Sequence, residues 1–213
     1  SGPAAPPQHR PGRCLHRMQA RSSAPLDRPH PRIEAREVGA IVAVCAAVFF
    51  VQIDVGHLHG DAIRYAAVAK NIAVSGEWIL LQDQPGVLYA NKPPLMMWLV
   101  AALFELAGVS VWAARLPSAL FATAAVLMTG LLGRRLVDAR VGWLAAVLAA
   151  SSYGTFTSAS TLRLESGVTF AAVTGAYAAM RAIQDGRPAW LLLVGVAAGL
   201  GRPRPHPLHP RVL

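Results

Sequence analysis

Apolar residues gather into runs separated by short charged breaks and, once, by a long polar stretch at residues 60–95. Residues 38–56 carry no charge from Val38 to Ile53. With Val55 and Gly56 they approach the roughly 20 apolar residues that cross a bilayer as a helix. Runs at 116–133, 141–162, 166–182 and 188–201 are expected to span as well. Residues 61–74 differ. Tyr65, Val68, Ala69 and Ile72 recur at helical spacing, while Arg64, Lys70 and Asn71 lie mostly off that stripe, the pattern of a helix lying on a membrane surface. Gly76 and Glu77 end it, and Trp78 and Tyr89 suit the headgroup level. The run at 94–108 stops at Glu105 and is short for a span.

Basic residues decide how these runs are threaded. If 94–108 crossed the membrane, the next helix would carry Arg134, Arg135 and Arg140 outward; if it lies in the interface, they join the N-terminal arginines inside. The second arrangement obeys the positive-inside rule. The expected fold is therefore an all-α membrane protein, multi-pass, with two interfacial helices (61–74 and 94–108) in its first outer loop. Its N-terminus is cytoplasmic, it sits in the inner (plasma) membrane, and Asp61, Lys92, Arg163 and Glu165 all face the periplasm or exterior.

Composition agrees with a membrane setting. The chain is 54% hydrophobic and 15% charged, with mean hydropathy +0.40, against about 25% charged residues in ordinary soluble domains. Its net charge of +9 is uneven, with seven arginines in the first 36 residues and most others beside apolar runs. No basic groove interleaved with aromatics argues for nucleic acid as a partner. Residues 1–37, rich in Pro, Arg and His, cannot bury a core and are expected to be a disordered cytoplasmic segment, within which Met18 is a candidate start. The apolar run breaks abruptly into residues 202–213, RPRPHPLHPRVL, which resemble the output of a shifted reading frame and equally a natural tail; truncation is the expectation there. Cys14 and Cys45 imply neither a disulfide framework nor a metal site, and no repeat of 20–50 residues is present.

Chemistry concentrates on the outer side. Asp61 opens an amphipathic helix, where it can cap the helix or act as general base on a hydroxyl or amine. Lys92 precedes Pro93 and Pro94, which fix the backbone at the mouth of the next helix. There it can meet the phosphate of a lipid-linked donor or serve as a snorkelling anchor. Glu165, in Arg163-Leu164-Glu165, either belongs to a solvated turn or joins Asp61, the two sharing an acceptor group or a divalent metal cation. His57 and His59 with Asp61 form an H-x-H-x-D spacing that places all three on one side of an extended segment, a weak candidate for zinc.

Three ordered stretches, DAIRYAAVAKNIAVSGEW, YANKPPLMMWLVAALFELAGV and AARLPSALFATAAVLMTGLLGRRL, resemble bacterial GT-C glycosyltransferases. The nearest groups are the lipid A 4-amino-4-deoxy-L-arabinose transferases and the dolichyl-phosphate-mannose–protein mannosyltransferase-like proteins, over residues 38–200. The resemblance implies a multi-pass enzyme moving a sugar from a polyprenyl-phosphate donor to a periplasmic acceptor, which is lipid A, a protein or another glycan. It implies Asp61 as catalytic carboxylate, Lys92 on the donor phosphate with Arg64 assisting, and Glu165 as the later acid, usually Asp in the family. Ala62 replaces the family's Glu after the first Asp, and Asn91 stands where some members have an acid. Members also carry many more spans and a periplasmic C-terminal domain. Set against this are a non-enzymatic membrane protein, such as a transporter segment or assembly subunit, and an inactive fragment. Charges at helix ends rather than within spans favour interfacial chemistry over transport.

Overall fold

The computed structural model describes Gly2 and residues 35–51, 53–84, 87–89 and 92–200. Contacts divide the chain into Ser1–His30 and Pro31–Leu213. The first unit contributes only Gly2 to the described residues, so the expected disordered segment lies almost wholly outside them. Asn91 and the tail at 202–213 lie outside them too. The described elements belong to the second unit.

Its described part is mostly helical. Helix α1, Ala35–Cys45, continues into a wider π turn at Ala46–Phe50. Helix α2 is Asp61–Ser75, and its stripe of Ala62, Tyr65, Val68, Ala69 and Ile72 is buried as the spacing requires. Gly76, at φ 72°, ends α2 in the left-handed region that glycine enters without a Cβ penalty, and its N–H donates to Ile72 O at 2.9 Å. A two-stranded antiparallel hairpin follows, β1 Gln82–Gln84 and β2 Val87–Leu88. It is a small addition to an otherwise helical fold; backbone groups of the polar loop pair with each other where no helical period exists. Asn71 Nδ2 donates to Gln82 O at 3.0 Å and ties the hairpin to α2.

Helix α3, Leu95–Ala107, starts directly after Pro94 and buries Met96, Met97, Val100, Ala101 and Phe104 against α2. Helix α4, Val111–Leu136, is the central element. At 26 residues it is about 39 Å long, and among the described residues it is the helix long and apolar enough to cross a membrane. It begins five residues before the expected Leu116, which brings Arg115 inside it. The uncharged run at 141–162 is not one helix but two, α5 Ala139–Ser151 and α6 Tyr153–Ser160. At the break, Ser152 is extended and its Oγ accepts from Thr155 N at 3.3 Å; a hydroxyl that bonds the local backbone competes with the helix. Helix α7, Glu165–Asp185, and helix α8, Ala189–Leu200, complete the described chain.

Two apolar clusters hold these elements. One joins α2, α3 and the first turn of α4 to Leu81, Tyr89, Leu162 and Leu164. The other packs Cys45 and Phe49 against Ala119, Ala122 and Val126 of α4 and against Ala146, Ala150 and Ala159. Polar contacts then sort the helix termini into two ends. Arg134 pairs with Glu37 at the start of α1, and Arg135 with Asp185 at the end of α7. At the other end of α4, Arg115 reaches the segment after α1 and Ser118 the segment before α7. Helix α1 therefore runs antiparallel to α4, and α7 runs parallel to it.

Candidate active site

Asp61 and Glu165 lie at the same end of α4, 104 positions apart in sequence yet acting on one side chain. That side chain is Tyr65. Its hydroxyl donates to Asp61 Oδ2 at 3.5 Å. Burial pushes the phenol up to about 12, and the negative charges of Asp61 and Glu165 add to the shift after that of Tyr89. Tyr89, in the same apolar cluster as Tyr65, is also raised by burial, an effect that the positive charge of Arg64 opposes. The arrangement is a buried phenol on the Asp61 carboxylate, with a second buried phenol in the same cluster.

Local sequence explains the placement of each group. Gly60, at φ 56° and ψ −130°, turns the chain sharply and takes the N-cap position, so Asp61 is the first helical residue and not the cap. Its charge stands at the helix N-terminus, where the macrodipole favours an anion, and its oxygens remain exposed. Tyr65 follows one turn later on the same face, which is what brings hydroxyl to carboxylate. Glu165 likewise occupies the first turn of α7 and is exposed, with Arg163 Nε 3.7 Å from its Oε2.

Lys92 is exposed and borders an open groove lined by Ile79, Leu80, Leu88, Tyr89 and Pro94. Tyr89 thus lines the groove that Lys92 borders and belongs to the same apolar cluster as Tyr65. Arg64 is engaged by Asp83 at 3.3 Å, with its side chain still half exposed. The histidines do not join the site. Arg115 holds the carbonyl of His57, and the turn at Gly60 ends the extended stretch that the H-x-H-x-D alternation needs. Among the described residues no three His, Cys, Asp or Glu side chains gather as a metal site. Asp61 and Glu165 alone therefore do not supply a metal's ligand set.

Sequence reading missed four contributors. Spacing assigns Tyr65 to the apolar stripe and Tyr89 to the headgroup level, because it reports burial and not the partner of a hydroxyl. Arg115 and Ser118 are buried at 5% and 0% exposure. A buried arginine in an otherwise uncharged run is a signal that an earlier helix start would have exposed.

Residues 91–202 match the family model described as dolichyl-phosphate-mannose-protein mannosyltransferase. The structure is similar to two crystal structures of ArnT from Cupriavidus metallidurans. The apo form gives a TM-score of 0.65 at 25% identity, covering 77% of this chain and 32% of that one. The form bound to undecaprenyl phosphate gives 0.55 at 25% identity, covering 79% and 32%. The chain spans about a third of the length of these solved relatives. No curated protein matches it. With more than half of its residues inside the family match, on a helical frame shared with those structures, the chain belongs to the dolichyl-phosphate-mannose-protein mannosyltransferase family, of GT-C type.

Proposed function

We propose that this chain carries the outer-face reaction corner of a membrane glycosyltransferase, which moves a sugar from a polyprenyl-phosphate donor to an acceptor on the periplasmic or exterior side. The observation that carries the reading is that Asp61, which accepts from Tyr65, and Glu165 open their helices at the same end of α4, with Lys92 bordering the groove that Tyr89 lines. Membership of the family and the undecaprenyl phosphate bound by one solved relative support the donor class. The acceptor is a hydroxyl or amine of a lipid, glycan or protein.

In the proposed step Asp61 takes the proton of the acceptor as its oxygen or nitrogen attacks the anomeric carbon. The bond from that carbon to the donor phosphate oxygen breaks, and polyprenyl phosphate leaves with the electron pair. Lys92 offsets the charge that grows on the leaving phosphate, and Arg64, once it exchanges Asp83 for the donor, adds to it. Tyr65 stays neutral throughout the physiological range and donates to Asp61, which fixes the carboxylate's orientation. Glu165, at the start of α7 on the same end of α4, helps to hold the acceptor beside Asp61. Membrane insertion follows the arginines: Arg134, Arg135 and Arg181 lie at the cytoplasmic end, and the site lies at the other. Helices α2 and α3 then rest in the outer interface.

The test is transfer from a polyprenyl-phosphate sugar by a homologue as long as the solved relatives. Changing the position equivalent to Asp61 to Asn should slow transfer by about 100-fold or more, the usual contribution of a general base, while membrane insertion is unchanged. Transfer at the normal rate by that variant would remove Asp61 from the mechanism.

A further inference from the structure

Between the π turn and α2, described residues 51 and 53–60 have no regular secondary structure, and Gly56 adds a left-handed turn at φ 81°. Something must nevertheless hold this segment, because it aims Asp61. The contact is Arg115. Its Nη1 donates to the carbonyls of Ile53 at 3.2 Å and Val55 at 2.7 Å, and its Nη2 donates to that of His57 at 3.2 Å. One turn further along α4, Ser118 does the same for the opposite segment. Its Oγ donates to Arg163 O at 3.2 Å and accepts from Arg163 N at 3.1 Å, so a single hydroxyl meets both backbone polar groups of that residue. Ser166 Oγ donates to the same carbonyl at 3.0 Å, just beyond Glu165.

We propose that Arg115 and Ser118 form a clamp on one face of α4 that sets the separation of Asp61 from Glu165. Three positions apart on a helix, the two side chains emerge as neighbours, so one rigid element carries both anchors. They are positioning residues: neither touches the reacting atoms, and Arg115, at 5% exposure with both terminal nitrogens donating to backbone carbonyls, is not placed to meet a donor phosphate. Arginine suits the role because its planar fork reaches separate acceptors at once, whereas a lysine ammonium presents its donors from one point. The functional meaning of the clamp rests on the reaction proposed above, but its geometry does not.

The experiment is therefore a distance and not a rate. In the whole chain, with Cys14→Ser and Cys45→Ala as background, spin labels are placed at Ile63 on α2 and Val168 on α7, both exposed. A control pair occupies Leu136 on α4 and Ile183 on α7, at the far end. Arg115→Ala should roughly double the width of the Ile63–Val168 distance distribution, as expected when a tethered loop becomes a locally open one, and leave the control pair unchanged. Arg115→Lys should restore only part of the narrow distribution. Ser118→Ala, which keeps the helix and changes little volume, should shift the same distance with the control again unmoved. An unaltered Ile63–Val168 distribution in both alanine variants overturns the clamp, as does equal broadening of the two pairs. Either result leaves the transferase reading standing, since that reading fails only on loss of the Asp61 effect on transfer.

Discussion

At the scale of single residues, the distinctive chemistry is a phenol kept neutral beside two acids. Tyr65 is raised from 10.0 to about 12, first by burial and then by neighbouring negative charge. The sign of the pH effect follows. Below pH 10 the phenol is protonated in folded and unfolded chains alike and stability does not depend on it. Between pH 10 and about 12 the unfolded chain loses this proton while the folded chain keeps it, so stability falls as pH rises through that window. Of the four tyrosines, Tyr65 should titrate late in an ultraviolet phenolate titration, and Tyr65→Phe should delete that late component. A titration that is unchanged by Tyr65→Phe contradicts the burial and charge argument. Lys92 gives a second check at this scale. Binding of undecaprenyl phosphate to the purified chain should weaken by about 10-fold in Lys92→Ala, the equivalent of roughly 1.4 kcal/mol, and be largely kept in Lys92→Arg. Equal binding by wild type and Lys92→Ala would assign the lysine to anchoring. The carboxylates and this lysine were legible in the sequence because charge is rare there and stands out. The phenols were not, since Tyr65 satisfies the apolar period of α2 and its hydroxyl partner is invisible to that period.

At the scale of elements, small residues decide how closely helices approach. A Cβ on Gly142 would stand 2.6 Å from Gly130 O and 2.8 Å from Arg134 N, both backbone atoms that cannot swing aside. Gly142→Ala should therefore force α5 away from α4 and cost about 1–3 kcal/mol, the usual range for overpacking. Gly167 in α7 is the counterexample. A Cβ there meets Met96 Sδ at 3.7 Å, an ordinary contact, and Gly167→Ala should be neutral or stabilising by up to about 1 kcal/mol through helix propensity. Thermal unfolding of the two variants in detergent tests the pair; a Gly142→Ala protein as stable as Gly167→Ala would refute the close approach. The same comparison shows what periodicity can and cannot read. The buried stripe of α2 follows from Tyr65, Val68, Ala69 and Ile72 because one face alone is apolar. Run 141–162 is apolar or small on every side, so neither its packed face nor its break at Ser152 has a period to reveal it. Hydroxyls such as Thr157, which donates to Tyr153 O at 3.0 Å, carry no charge and do not interrupt an apolar count.

At the scale of the whole described unit, polarity is arranged along α4. One end gathers Arg134, Arg135 and Arg181 with Glu37 and Asp185, and Arg181 also lies over Trp190 with its guanidinium carbon 4.7 Å from the ring centroid. The other end holds Asp61, Tyr65 and Glu165 under the buried Arg115. Exposed pairs such as Arg64 with Asp83 are worth little individually, so the sorting matters more for orientation than for stability. The sequence rule that basic residues stay inside anticipated this grouping, because it counts charges at helix ends and needs no knowledge of packing. It did not reveal Arg115, whose partners are carbonyls more than 50 positions away. The arrangement predicts opposite accessibilities for the two ends in a cell. In the background without native cysteines, Glu77→Cys, exposed beyond α2, should react with a membrane-impermeant maleimide on intact spheroplasts. Ile183→Cys, 80% exposed near the end of α7, should react only after the membrane is permeabilised. Both positions are open in the folded chain, so a difference between them measures the membrane and not the fold. Labelling of both from outside would place the arginine end and the carboxylate end on one face, and the outer-face reaction corner would have to be abandoned.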